Sequence, residues 1–471
     1  TIENRKQKLE EILPEARIAV AHGQMPEREL ERVMRDFVAQ RFNLLLCSTI
    51  IEQWSTNTIE LLTRLAVDGP ALRQTLLTGA PGLLESISGA AGDSHHEGRS
   101  VLTLTFSSGV KLVYKPRSLA VDAHFQELLA WVDRRGNPTP FRRLRVMDQG
   151  AYGWMEFAET APCETEEQVG RFYQRLGAFL ALLYALEATD FHFQNIVASG
   201  EHPVLVDLES LLHPHLPVVD EGSAQQARQE MFDSVLRVGL LPQRVWANAE
   251  SAGIDISGLA SIGGQVSPRA VPRLEGSGTD EMHIARKRQV MPEGHNRPTL
   301  QGQNVDTLAQ TDALLAGFTR MYELLRTGRD AMLAEDGPLW RMRDDEVRVL
   351  MRPTLLYTSV LEDSLHPDVM RDALDRDRFL DRLWTDTERF PFIPAIVRAE
   401  REALEQGDVP LFTTRPGSLD VWAADNSRIP GVFAEEGLTL VRRRLEQFGP
   451  EDLERQTWFI RASMATLVPD V

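Results

Sequence analysis

The chain has 471 residues, more than one compact core normally covers, so two or three structural units are expected. A formal net charge of -18 argues against a nucleic-acid binder, which needs clustered Lys and Arg to neutralise phosphates, but leaves room for local basic pockets. With 42% hydrophobic and 25% charged residues the composition is that of a soluble globular protein, and two lone cysteines, Cys47 and Cys163, exclude a disulfide framework or cysteine-rich zinc site and fit a reducing cytosol.

The chain begins at Thr1 without a signal peptide, which predicts a fragment of something longer, and the cysteine usage makes a cytoplasmic location the expectation. The longest apolar run, LGAFLALLYAL at 176–186, falls short of the ~18–20 residues that span a bilayer, so no transmembrane segment is expected. Residues 1–88 read as helical: Pro26 suits a first turn, and Val33, Phe37, Phe42 and Leu46 recur at helical spacing. The texture changes at GDSHHEGRS (92–100). VLTLTF (101–106), SSG (107–109) and VKLVY (110–114) then read as strand, turn and strand, and Pro116 ends the second strand. Residues 119–132 return to helical periodicity, and 140–158 read as further strands.

Thr165 and Gln168 form a capping box, after which Val169, Phe172, Leu176, Leu180, Leu183 and Leu186 mark one apolar helix face. The polar turn TDFHFQN (189–195), the short piece IVA, the turn SGEHP and the strand VLVDLE follow. Residues 252–304, rich in Gly, Pro and polar side chains, read as an irregular insertion. From 305 onward helical periodicity returns, broken by RVLMRPTLLY (348–357) and the turn-rich stretch 407–431.

Phosphoryl transfer needs a carboxylate near the attacking hydroxyl and ligands for a charge-neutralising metal. Protein kinases supply these as a catalytic-loop Asp, an Asn five positions on and a further Asp at a strand end. Asp190 and Asn195 have that spacing, and Asp207 ends the apolar strand. Singly, such residues are more often caps and turn formers; together, after a long amphipathic helix, they point to a divergent kinase core. Lys115, at the end of a hairpin strand, is the candidate phosphate ligand, with Glu127 on the next helix to orient it; a solvated edge lysine is the plainer alternative. Glu209, two residues past Asp207, would share its side of an extended strand and help bind Mg²⁺. No G-x-G-x-x-G loop precedes Lys115, and Asp-Leu-Glu stands where kinases carry Asp-Phe-Gly. His213 and His215, split by Pro214, read as loop residues rather than a metal pair.

The wording of these blocks resembles the class II lanthipeptide synthetases. GDSHHEGRSVLTLTFSSGVKLVYKPRSLAVDAHFQELL (92–129), TDFHFQN with HPVLVDLE, GTDEMHIARKRQVMPEGHNRP (278–298), RVLMRPTLLY and GDVPLFTTRPGS (407–418) carry the likeness, which runs from about residue 45 to the end. It implies an α+β fold: a divergent lipid-kinase-like two-lobed core with added N-terminal and C-terminal helical elements. On that template 1–90 is a helical cap, 91–160 an N-lobe and 161–250 a C-lobe with catalytic loop and metal-binding strand. Residues 251–304 are an activation-type insertion, and 305–471 a mainly helical subdomain contributing elimination residues.

The resemblance implies that ATP and Mg²⁺ serve a dehydratase that phosphorylates Ser and Thr of a leader-bearing precursor peptide and then eliminates the phosphate. Lys115 would contact the ATP phosphates, and Asp190, with His192 beside it, would act on the substrate hydroxyl. Asn195, Asp207 and Glu209 would hold Mg²⁺. Asp93, His95, Arg348 and Thr354 are the residues carried over for elimination. That step needs a base for the α-proton and cationic help for the leaving phosphate. Arg348 and Lys115 suit the phosphate, and Thr354, six residues of mainly extended chain from Arg348, would share its face. His95 and Asp93 both remain open as the base, and a GD-x-H turn with a capping Asp is the plainer alternative. The thioether-forming zinc cyclase half of such synthetases is not expected within this chain, whose cysteines cannot supply its ligands; it is expected as another domain or protein. A kinase-like phosphotransferase without lyase activity, and a pseudokinase-like peptide-binding module, are the alternatives.

Overall fold

A computed structural model describes residues 18–21, 44–77, 79–89, 93–219, 223–245, 253–267, 270–275, 283–291, 293–364, 369 and 373–468. The fold is mixed α+β. Strands β1 (Ile18–Ala21) and β2 (Leu44–Cys47) pair in parallel, and helix α1 spans Ser48–Thr75. Strands β3 (Leu84–Ser88), β4 (Leu102–Phe106), β5 (Lys111–Lys115), β6 (Val146–Asp148) and β7 (Gly153–Glu156) form one antiparallel sheet in the order β3-β4-β5-β7-β6. The expected helicity of residues 1–88 therefore holds for α1 and fails at β2, where Leu46 lies in a strand, and at β3. LESIS extends the sheet edge because its backbone completes the ladder of β4, which a helix cannot do. Pro26, Val33, Phe37 and Phe42 lie outside the described residues.

Alternation along the strands explains how the sheet is sandwiched. Leu104, Phe106, Leu112, Tyr114 and Trp154 pack on one face against Leu61, Leu72, Leu76 and Leu77 of α1 and its C-terminal end. Beneath α1, Asp68 accepts hydrogen bonds from Trp154 Nε1 (2.7 Å) and Tyr152 Oη (2.9 Å). The opposite face presents Val113 and Met155 to Val197, Val204 and Val206 of a second hairpin, β8 (Ile196–Ser199) and β9 (His202–Leu205). That second contact matters most for function, because it lays the end of β5 over the chain leaving β9.

Helix α2 (Ala120–Arg134) follows β5, and helix α3 (Glu166–Ala185) runs through the largest core. As the capping pattern predicts, Thr165 Oγ1 accepts from Gln168 N, while the Gln168 side chain reaches Glu164 N rather than Thr165 N. Helix α4 (Thr311–Leu333) crosses α3 at two glycines. A Cβ on Gly177 would meet Leu314 O at 1.9 Å, and one on Gly317 would meet Gln174 O at 1.8 Å. Neither contact is with a side chain that can swing away. Gly177→Val is therefore expected to lower unfolding stability by at least about 3 kcal/mol, the upper range for overpacking a core. Gly170→Ala, on the same helix with nothing within 4 Å of its Cβ, should be neutral or gain up to about 1 kcal/mol of helix propensity. Denaturant melts of the pair check this, and equal midpoints would contradict the crossing.

The expected insertion holds short two-stranded pairs, Val271–Glu275 with His283–Lys287 and Thr299–Leu300 with Gln303–Asn304. The stretch from 305 is helical but also contains a four-stranded sheet, Val347–Arg348, Phe412–Thr414, Val421–Ala423 and Arg428–Ile429, in sequence order. Buried Glu400 joins this sheet's surroundings to RVLMRPTLLY by accepting from Arg352 Nε (2.7 Å) and Tyr357 Oη (2.6 Å). Among the described residues, no helix is long and apolar enough to cross a membrane.

Candidate functional site

The loop after α3 is built by alternation around two anchors. Phe191 and Phe193 are buried, with Phe191 N bonded to Val238 O and Phe193 N to Ile256 O, so the alternating residues Asp190 and His192 are half-buried and Gln194 is exposed. Glu187 fixes the corner between helix and loop. Buried at 3% exposure, it takes Arg237 Nη1 at 2.8 Å and Arg444 Nε at 2.7 Å. Burial alone would raise its pKa, but His215, Arg237 and Arg444 hold it at about 2. His213 turns the other way, with Nδ1 at Pro214 O and Nε2 at Leu350 N, so the two histidines share no ligand position.

Asp190 sits at φ 66°, a left-handed conformation that only Gly, Asn and Asp adopt readily. Its carbonyl accepts from Asn195 Nδ2 at 2.8 Å, which closes the D-x4-N loop on itself. His192 Nδ1 accepts from Gln194 N at 3.2 Å and caps the short 3-10 turn Phe193–Asn195. Burial raises the Asp190 pKa; His192 and Arg348 oppose the shift, and Asp207 and Glu209 reinforce it. These neighbours bring the loop, the segment after β9 and RVLMRPTLLY together in one cluster of charges.

Lys115, 4% exposed, donates to Val206 O at 2.8 Å and to Asp207 Oδ1 at 3.4 Å, and lies 3.7 Å from Asp122 Oδ1. Its helix partner is thus Asp122 and not Glu127, as the sequence led us to expect. Five residues along a helix turn the side chain about 140° away, at ~100° per residue. Glu127 instead pairs with Arg341 at 2.6 Å, and both side chains are more than half exposed. Arg117, which sequence reasoning overlooked, joins the carboxylates of this cluster. Its Nη1 reaches Asp122 Oδ2 (2.9 Å), Nη2 reaches Asp207 Oδ1 (3.0 Å) and Nε reaches Glu209 Oε2 (3.2 Å). The clue was a second cation beyond the strand-ending proline, in Lys-Pro-Arg.

Asp207 and Glu209 do share a partner, but not through strand alternation. Strand β9 ends at Leu205, and the two residues follow in irregular chain. Burial alone would raise the Asp207 pKa, yet Lys115, Arg117 and Arg348 hold it at about 2. Glu209 continues the chain of charges, its Oε1 meeting Arg348 Nη1 at 2.7 Å and its carbonyl accepting from Arg348 N at 2.6 Å. Arg348 Nη2 reaches Thr354 Oγ1 at 3.4 Å. Thr354 opens the helix Thr354–Ser364 and is not part of an extended run, so this contact comes from the turn at Pro353.

GDSHHEGRS and GDVPLFTTRPGS, more than 300 residues apart, clasp one another here. Asp408 accepts from Glu97 N (2.6 Å) and Gly98 N (3.0 Å), and Val409 N donates to Ser94 O (3.1 Å). The aspartate that caps this turn is therefore Asp408, leaving Asp93 beside His95. His95 Nδ1 lies 2.7 Å from Val409 O; burial first, then the Arg348 charge, lowers its pKa.

Among the described residues, no group of three or more His, Cys, Asp or Glu side chains converges on a metal position. Asp207 and Asn195 are hard oxygen donors held together by the bond from Val206 N to Asn195 O (3.0 Å). Such a pair suits Mg²⁺, which keeps waters and phosphate oxygens in its other positions. Both Glu209 oxygens are engaged by guanidinium groups.

Because Asp122 is fully buried and pairs two cations, Asp122→Ala is expected to cost about 3–5 kcal/mol of stability. Glu127→Ala removes an exposed pair and should cost no more than about 1 kcal/mol. Thermal melts of both variants test the assignment, and the reverse order would restore Glu127.

A family model described as a domain of unknown function (DUF4135) matches residues 44–415, which takes in every candidate site residue from Asp93 to Thr354. The chain is 31% identical over 157 residues to the lacticin 481/lactococcin biosynthesis protein LcnDR2 of Lactococcus lactis subsp. lactis, covering 31% of this chain and 17% of that protein. It is also similar to transcription-repair-coupling factors. That of Haemophilus influenzae is 43% identical over 106 residues (22% of this chain, 8% of the relative), and that of Escherichia coli 39% over 126 (26% and 9%). The chain thus spans less than a fifth of the length of each of these relatives.

Proposed function

The chain belongs to the DUF4135 family, the domain family of LanM-type lanthipeptide synthetases, and we propose that it is their dehydratase, phosphorylating Ser and Thr of a leader-bearing precursor peptide with ATP and then eliminating the phosphate. The observation that carries this reading is the unbroken string of contacts from Lys115 through Asp207, Arg117, Glu209 and Arg348 to Thr354. It joins groups suited to phosphoryl transfer with groups suited to phosphate departure in a single cluster. A sheet carrying Lys115 above a helix, loop and hairpin carrying Asp190, Asn195 and Asp207 supports a lipid-kinase-like, two-lobed core. The likeness to the Haemophilus influenzae and Escherichia coli transcription-repair-coupling factors takes in less than a tenth of each of those two relatives, too small a share to carry their activity to this chain.

In the first step the substrate hydroxyl oxygen bonds to the γ-phosphorus, the bond from that phosphorus to the bridging oxygen breaks, and ADP leaves. Asp190 orients the hydroxyl and takes its proton, and Lys115 and Arg117 hold the phosphate oxygens. Mg²⁺, held by Asp207 and Asn195, would supply further positive charge to those oxygens. In the second step the α-proton is removed, its electron pair forms the carbon–carbon double bond, and the Cβ–oxygen bond breaks. Arg348 and Thr354 receive the departing phosphate, with His95 or Asp93 as the base.

Mass spectrometry of a precursor peptide incubated with the protein, ATP and Mg²⁺ tests both steps. Successive losses of about 18 Da are expected. Gains of about 80 Da without loss would leave a kinase alone, and ATP-independent binding of a peptide that stays unmodified would leave a pseudokinase-like module.

A further inference from the structure

The outer face of α2 borders a cavity of about 740 Å³ that takes no part in the chemistry above. Gln126, Glu127, Ala130 and Arg134 line it at helical spacing, and across from them stand Arg341 and the segment Phe141–Arg145. In a chain of net charge -18, four of its lining residues are arginines, Arg134, Arg143, Arg145 and Arg341, against one carboxylate, Glu127. Arg341 is occupied by Glu127, and Arg145 by Glu156 at 2.9 Å. Arg134 and Arg143 are exposed and make no ion pair with any described residue. Leu144, buried between Arg143 and Arg145, and buried Phe141 give the cavity an apolar floor.

We propose that this cavity is a docking site for an acidic segment of the peptide that the protein modifies, an inference that rests on the function proposed above. Arginine forks suit carboxylates. The cations come from three separate stretches of chain around an apolar floor. That distribution fits several carboxylates along a peptide with an apolar residue between them; a single phosphate group would call for converging donors. The cavity shares α2 with the reactive cluster. Asp122, which holds Lys115 and Arg117, and Arg134 lie twelve residues apart, about 18 Å along the helix axis at ~1.5 Å per residue. A peptide anchored at Arg134 needs at least about six extended residues, at ~3.3 Å each, to bring a Ser or Thr to the cluster. Docking therefore sets a minimum spacing between the acidic segment and the first residue modified.

The probe is a fluorescein-labelled peptide of alternating glutamate and leucine, with binding followed by anisotropy without ATP. The expected result is salt-sensitive binding, weakened at least about tenfold by the double variant R134E/R143E. R134Q/R143Q, which removes charge without reversing it, should weaken binding less; it carries the test if the reversed variant does not fold. Equal affinity of wild type and R134Q/R143Q overturns the site. So does failure to bind the peptide alongside binding of inorganic tripolyphosphate, which marks a phosphate site. Arginine-dependent binding by a protein that leaves precursor peptides unmodified keeps the docking site and sinks the dehydratase reading; normal dehydration with arginine-independent binding does the opposite.

Discussion

Asp190→Asn is expected to slow peptide phosphorylation by about 10³-fold or more while leaving the protein as stable as before, or more so. General acid–base groups contribute about 10²–10⁴-fold, and in the proposed mechanism Asp190 also orients the nucleophile, so the upper part of that range applies. Asparagine is the informative replacement, because it keeps the shape of the side chain and tolerates the left-handed φ of 66° that alanine would strain. The stability direction follows from linkage. Burial, reinforced by Asp207 and Glu209, raises the Asp190 pKa above its unfolded value, so its ionised form at neutral pH opposes folding. A neutral amide removes that opposition. The same shift places the acid limb of the phosphorylation rate above the ordinary aspartate range, since the base must be ionised to work. Single-turnover phosphopeptide formation across pH, together with thermal melts, checks all three. A variant that phosphorylates normally would remove Asp190 from the chemistry, and one that loses both activity and several degrees of melting temperature would make it structural.

The parts of the site legible from the sequence were those whose residues stand close together or end a well-patterned element. Asp190 and Asn195 close one short loop at 2.8 Å, and Lys115 stands at the end of a hairpin strand whose alternation shows in VLTLTF and VKLVY. Helix α3 was legible from its capping box and apolar face. Partnerships across the fold were not. Glu127 looked suitable because it lay on the right helix, but helix phase gives the lysine to Asp122, and a short buried acid leaves no hydrophobic pattern to notice. Arg117 was hidden for a related reason. Its importance lies in three carboxylates, two of them some 90 residues downstream, that only the packing of β8 and β9 under the sheet brings to it. The grip of Asp408 on Glu97 and Gly98 likewise joins two motifs whose relation no local pattern records. β3 was missed because five residues of weak alternation become a strand only when β4 offers them a ladder.

Arg348→Ala is expected to separate the two steps, with phosphorylated peptide accumulating and elimination falling by about 10²–10³-fold, the usual loss on removing one donor to a developing anion. The geometry gives the reason for the selectivity. Arg348 meets Glu209 at 2.7 Å and Thr354 at 3.4 Å, whereas the direct ion pairs to Asp207 come from Lys115 and Arg117. Phosphoryl transfer thus keeps its cations, and phosphate departure loses its guanidinium fork. Arg348→Lys restores charge but not the two-pronged contact, and should recover only part of the elimination rate. A second readout follows from His95. Burial and then the Arg348 charge lower its pKa, so taking the charge away lets the imidazole pKa rise toward its usual value. If His95 is the base for the α-proton, the acid limb of the residual elimination must move to higher pH in Arg348→Ala; if Asp93 is the base, His95 titration leaves that limb in place. Quenched-flow mass spectrometry of a synthetic phosphopeptide, run with each variant across pH, measures elimination alone. Unmodified peptide as the sole product from Arg348→Ala, with ATP present, would instead assign this arginine to the first step.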